Sequence, residues 1–333
     1  MGRNALKVLL VVLLIGMLTV GCAQTGEKAV LAMITDTGGL GDQSFNDLAW
    51  AGLAKAEEEL GAERKVLESE SADDYTPNLT SFSEEKVDLI YGVGFLFEES
   101  MKAAAASYPD QKYAIIDSVV DAPNVASITF AEHEGSFLVG VIAGLATETD
   151  KIGFVGGMKF PLIEKFEYGF RAGVKAVNPD AEVIVNYADS FEDAAKGKEI
   201  ALAQHQAGAD VVYHAAGGVG IGVIQAAKEM GFWAIGVDKD QSSLAPESVL
   251  ASMVKRVDVG VFEVAKSVSE GTFEGGVKVF DISNDGVGYS DNAGNLSQDQ
   301  IDAAEQYKAA IKEGKFVVPQ TQAEFDAFVA PSL

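Results

Sequence analysis

From Lys28 onward, short runs rich in β-branched residues alternate with longer amphipathic stretches, and after residue 150 the alternation starts afresh. Few arrangements satisfy that rhythm. A parallel strand needs a long return connection, and an amphipathic helix laid on the sheet supplies it while burying its apolar stripe, so the pattern reads as repeated βαβ units. The first series predicts strands at 29–35, 64–69, 87–93, 112–117 and 125–130, with helices near 43–60, 77–85 and 97–107. A helix at 134–147 leads into the second series. It predicts strands at 151–157, 181–187, 209–215, 232–238 and 249–254, with helices near 162–177, 191–207 and 220–230. The architecture repeats although the sequence does not, which implies an α/β protein of two doubly wound, parallel-sheet lobes. With 333 residues, 48% of them hydrophobic, the chain has enough apolar side chains for two cores. The strand order of the tail beyond Asn284 is not legible.

Ligands on such sheets bind beyond the carboxyl ends of the strands. Polar loop residues of this chain gather there: Asp36 after the first strand, Asp117 at the end of the fourth, Gly217 and Gly218 after 209–215, Asp238 closing 232–238, and Lys255 after 249–254. Donation from both series implies a cleft between the lobes, and a cleft implies closure about hinges.

What such a cleft holds is constrained by charge. The chain has 25 basic against 50 acidic residues, a formal charge of −25, which repels phosphate backbones and disfavours nucleic acid as a partner. The loop DTGGLGDQSFND (36–47) follows the first strand as a phosphate loop would, yet it lacks the GKS or GKT ending, and Asp36, Asp42 and Asp47 oppose an anion. HAAGGVGIG (214–222) contains G-x-G-x-G after a strand, but its glycines are explained equally well by a tight turn with close backbone approach. His133, His205 and His214 have no metal-ligand spacing, and Ser44 lies in no G-x-S-x-G elbow. Neither cofactor, metal nor catalysis is indicated. A neutral ligand suits these residues better: a flat ring stacks on an aromatic such as Phe45, and hydroxyls donate to carboxylates. An acid closing the apolar strand FWAIGV is costly to bury unpaired, so Asp238 calls for a partner, and Lys255 is a candidate.

The N-terminus adds a location. Arg3 stands before, and Lys7 at the start of, the apolar run LKVLLVVLLIGMLTVG, a signal segment over residues 1–21. The run stops at Cys22, the single cysteine, and the tether 22–28 follows. A lone thiol in an exported chain is reactive, bridges to another molecule, or is a modified anchor. Gly21 favours the anchor, and the segment resembles a bacterial lipobox, with Thr19 where leucine is usual and Leu18 one position early.

Taken in order, DTGGLGDQSFND, YAIID, FAEHEGSFLVG, IGFVGGM with FEYGFRAG, VYHAAGGVGIGV, AIGVDKDQ and SMVKR resemble the basic membrane protein family, the purine-nucleoside-binding lipoproteins of ABC transporters. The resemblance covers nearly all of the chain after the signal segment. It implies a periplasmic-binding-protein type I fold with three crossover segments. One lobe would comprise residues 29–130 plus about 256–280, the other 131–255 plus about 281–333. It implies a nucleoside held between the lobes without catalysis, a permease as partner, contact with the bilayer through the N-terminal lipid on the extracytoplasmic face, and a monomer. By position, Phe45 would stack on the base, Asn46 and Asp117 would meet its polar edge, and Asp238 and Lys255 would take the ribose hydroxyls. Asp36 and the turn from Gly217 to Gly220 would line the mouth. Ile224 stands where relatives carry a second stacking phenylalanine, so Phe166 or Trp233 would have to replace it. A nucleoside hydrolase and a receptor-type sensor of a sugar or nucleoside are the alternatives. Turnover of ligand would select the first, and the identity of the partner the second.

Overall fold

The computed structural model describes residues 28–331. The signal segment 1–21, Cys22 and the tether up to residue 27 lie outside them. Among the described residues the strands form two six-stranded sheets. The first lobe contains β1 (Val30–Ile34), α1 (Phe45–Leu60), β2 (Glu63–Leu67), α2 (Tyr75–Glu85), β3 (Leu89–Val93), α3 (Glu98–Ser107), β4 (Tyr113–Ile116) and β5 (Val125–Phe130). The second contains α4 (Glu132–Ala146), β6 (Lys151–Gly156), α5 (Pro161–Val177), β7 (Glu182–Tyr187), α6 (Ala194–Gln206), β8 (Val211–Ala215), α7 (Val219–Met230), β9 (Trp233–Asp238) and β10 (Val249–Lys255). The chain then returns to the first lobe with α8 (Val257–Ser269) and β11 (Gly276–Phe280). It finishes in the second with β12 (Val287–Ser290) and α9 (Gln298–Lys312), followed by α10 (Gln322–Ala327).

The strand orders are β11-β5-β4-β3-β1-β2 and β12-β10-β9-β8-β6-β7, so each strand of one lobe has a counterpart in the other. All pairings are parallel except β10 with β12, which is antiparallel. Burial on both faces explains the apolar character of β3 and β4, and β8 is likewise buried along its whole length, His214 included. In each sheet the chain reverses its winding direction between β1 and β3, or between β6 and β8. These switch points open a crevice at the carboxyl ends of the strands, and the two crevices face each other.

Among the described residues three segments cross between the lobes, at residue 131, at residue 256 and at 281–286. The first leads directly into α4, which packs on α5 through a seam of glycines. A Cβ on Gly169 would come within 2.2 Å of the His133 carbonyl oxygen, and one on Gly173 within 2.0 Å of that of Phe137. Backbone meets backbone here, and any side chain would push the helices apart.

Candidate functional site

Asp117 and Asp238 follow or close the counterpart strands β4 and β9, and both have φ +67°, in the left-handed region. Aspartate tolerates that conformation better than most residues, and holding it turns each carboxylate off the end of its strand toward the facing lobe. Between them lies a cavity lined by Asp36, Asn46, Asp117, Asp238, Lys255 and Gly217, with Phe45, Phe95, Phe166 and Phe191 as aromatic walls.

The loop after β1 is organised by Asp42. Its carboxylate accepts from the backbone N–H of Ser44 (2.9 Å), Asn46 (2.8 Å) and Asp47 (3.1 Å), capping α1 from two residues before its N-cap position. The Asn46 amide donates to Asp36 Oδ1 at 2.8 Å and to Asp42 Oδ2 at 3.2 Å. Two carboxylates thus fix which way the amide points, and Asn46 Oδ1 is left as a buried acceptor without a partner. Asp117 Oδ1 is a second such acceptor. The first lobe therefore offers the cavity oxygens that await N–H or O–H donors.

Burial pushes the Asp36 carboxyl up to about 6, against the opposing bonds from Asn46 and Gly38, and Asp42 and Asp117 add to the rise. Burial likewise pushes Asp238 up to about 6, opposed by Lys255 and the Ser44 hydroxyl. Lys255 is 1% exposed. Its ammonium lies 2.5 Å from Asp117 Oδ2 and 3.5 Å from Glu132 Oε1, over the rings of Phe45, Phe130 and Phe166 at 5.0, 5.0 and 5.5 Å. Burial works to lower its pKa, but the fields of Asp117, Glu132 and Asp238 together outweigh it, and the lysine is held charged. Losing one partner of such a buried pair typically costs about 3–5 kcal/mol. Glu132, fully buried at the start of α4, has no hydrogen-bond partner on either oxygen among the described residues and is matched by Lys255 and, at 3.7 Å, Lys165. Its place in FAEHEGSFLVG carries no local signal of this role.

The second aromatic wall differs from the sequence expectation. Ile224 does not line the cavity: it is 2% exposed on α7 and packs into the lobe interior with Val155, Val212 and Ala234. Gly220 also lies away from it, because a Cβ there would sit 1.9 Å from the His214 ring. Of that turn Gly217, at φ +56°, reaches the cavity. Trp233 opens β9 at the end of the strand opposite Asp238. The wall is built by Phe166 together with Phe191, whose ring covers Gly157 so closely that a Cβ there would be 2.3 Å from it. The sequence pattern places Phe191 in a helix, but Asp193 caps α6 by accepting from Lys196 N at 2.9 Å, so the helix starts at Ala194 and leaves Phe191 in a loop beyond the end of β7. Phe95, after the left-handed Gly94 that follows β3, is the other aromatic missed; its ring lies 5.0 Å from Phe160 and 6.3 Å from Phe191, across the mouth.

The lobes also touch directly. Ser44 Oγ donates to Asp238 Oδ2 at 2.5 Å, Gln241 Nε2 donates to the Gln43 carbonyl at 3.0 Å, and Lys239 approaches Asp47 at 3.9 Å. With Lys255 on Asp117, these contacts describe a closed cleft. Among the described residues no helix is long and apolar enough to cross a membrane, and no group of His, Cys, Asp and Glu could hold a metal ion.

A family model described as ABC transporter substrate-binding protein PnrA-like matches residues 29–322. The ABC transporter nucleoside-binding protein BmpA of Lactococcus lactis subsp. cremoris is 41% identical over 325 residues, covering 90% of this chain and 91% of its own. Basic membrane protein A of Borreliella burgdorferi is 34% identical over 336 residues, covering 97% and 98%. Among solved structures, an ABC transporter solute-binding protein from Aeropyrum pernix K1 superposes with a TM-score of 0.82 at 32% identity, covering 90% of this chain and 96% of that one.

Proposed function

The chain belongs to the PnrA-like family of ABC transporter substrate-binding proteins, and from that premise we propose that it captures a purine nucleoside between its lobes and presents it to a membrane permease from the extracytoplasmic face, tethered by lipid on Cys22. The observation that carries the ligand class is the charge state of the cavity. Among the described residues Lys255 is the one cation lining it, and Asp117 and Glu132 already engage that charge. No positive charge is left over for a phosphate, so a nucleotide would be repelled, whereas an uncharged nucleoside brings O–H and N–H donors to the waiting oxygens. Phe45 from one lobe, facing Phe166 and Phe191 from the other, suits a flat heterocycle. Asn46 Oδ1 and Asp117 Oδ1 would meet the base edge, and Asp238 and Lys255 the ribose hydroxyls. The name of the Lactococcus relative supports the same reading.

Titration calorimetry tests it. The mature protein, unfolded and refolded to strip carried-over ligand, should release heat with inosine, guanosine or adenosine and none with their 5′-monophosphates. Binding confined to uridine or ribose would remove the purine claim, and silence toward every nucleoside would remove the whole of it. Release of free base and sugar would make the chain a hydrolase.

A further inference from the structure

Ser44 holds the N-cap position of α1, where a serine hydroxyl ordinarily accepts from a backbone N–H of the first turn. Here it makes no such bond. Asp42 has taken over the capping, and the fully buried Ser44 hydroxyl is turned across the cleft to Asp238. The neighbouring backbone supports this orientation from the other side. Gln43 is in the left-handed region at φ +54°, and its carbonyl accepts from Gln241 of the second lobe. Gln241 is itself held: its Oε1 accepts from Val237 N at 2.9 Å and faces His214 Nε2 at 2.9 Å, while its N–H donates to Ser252 Oγ at 3.1 Å. A buried scaffold in one lobe thus grips the backbone of residue 43 in the other and aims residue 44.

We infer that Ser44 is a positioning residue of the ligand site: by donating to Oδ2 it fixes the Asp238 carboxylate with Oδ1 free for the ligand, and because the bond exists only with the lobes together, it couples capture to closure. The inference rests on Asp238 being an acceptor for ligand hydroxyls. A serine that merely capped its helix would act on stability; this one acts through Asp238, and that difference is measurable.

The experiment is a double-mutant cycle on the mature, ligand-stripped protein, with Ser44→Ala, Asp238→Ala and the pair, reading inosine affinity and off-rate by stopped flow, melting temperature without ligand, and radius of gyration without ligand by X-ray scattering. Ser44→Ala should remain folded in the ligand-free melt, since the Asp42 cap is intact, and weaken binding about ten- to a hundredfold, the loss expected for a hydrogen bond to a charged acceptor, mostly in the off-rate. In the Asp238→Ala background the same change should cost less than about threefold. Wild-type affinity in Ser44→Ala, or a loss that adds fully to that of Asp238→Ala, would overturn the inference. If wild type itself ignores inosine, the nucleoside reading fails separately and scattering decides: a larger radius in Ser44→Ala than in wild type supports the latch, and equal radii overturn it.

Discussion

Replacing Asp238 by asparagine should make the empty protein more stable and the site worse. The carboxyl is raised from 3.8 to about 6, with burial the largest cause. A shift of about two units, at about 1.36 kcal/mol each, means that ionised Asp238 costs the folded state on the order of 3 kcal/mol at pH 7. The sign follows from proton binding. Between about pH 4 and pH 6 the folded chain keeps a proton that the unfolded chain has lost, so this residue's contribution to stability falls as pH rises through that window and is level above it. Asparagine never ionises, can still accept from the Ser44 hydroxyl, and tolerates φ +67°. Lys255 keeps Asp117 and Glu132. Thermal melts from pH 4 to 8 without ligand should therefore show the variant level with wild type at the acid end and a few degrees above it at pH 7, while nucleoside affinity at pH 7 falls at least about tenfold. A variant that melts at or below wild type at pH 7, or a gap that does not change with pH, would refute the reasoning.

Truncating Phe191 to alanine should weaken nucleoside binding by about 1.5–3 kcal/mol through lost stacking area, read by calorimetry. Ile224→Phe, which a sequence comparison would suggest as a gain, should leave affinity unimproved and cost about 1–3 kcal/mol of stability in denaturant melts, because the site is already filled. Asp42→Ala removes the acceptor of three backbone N–H groups and should destabilise by about 1–2 kcal/mol in denaturant melts. Cys22→Ser should abolish incorporation of labelled fatty acid and release the protein from membranes on fractionation.

The ten strands and seven helices expected between residues 29 and 254 lie within a few residues of their observed ends, because a strand buried on both faces and a helix laid on it each leave a strong periodic mark. The tail left a fainter one: YKAAIKEG (307–314) is amphipathic and overlaps the end of α9, but the strand order there is not legible. β12 is four residues, VGYS, paired antiparallel at a sheet edge, and α9 announces itself mainly through its cap, where Ser297 and Gln300 bond each other's backbone. In the site, residues at strand ends were legible: Asp36, Asp117, Gly217, Asp238 and Lys255 all line the cavity, as do Phe45, Asn46 and Phe166. What failed was helix geometry. Ile224 and Gly220 are near the cavity in sequence, but once α7 begins at Val219 its rotation carries both side positions into the lobe. Glu132 and Phe95 were hidden for another reason: one reaches Lys255 from the first turn of α4 and the other meets Phe160 from the facing lobe, contacts that no local pattern encodes.

The glycine seam between α4 and α5 bears on how the cleft works as a machine. α4 starts one residue beyond the first crossing, and α5, welded to it without a layer of side chains between, carries Phe166 into the cavity and Lys165 toward Glu132. Side chains are what ordinarily lets two helices creep past one another, and here that lubricant is missing. A swivel at residue 131 should accordingly reach Phe166 without slack, the pair behaving as a lever with the crossing as its fulcrum and the ligand's resting face at its tip.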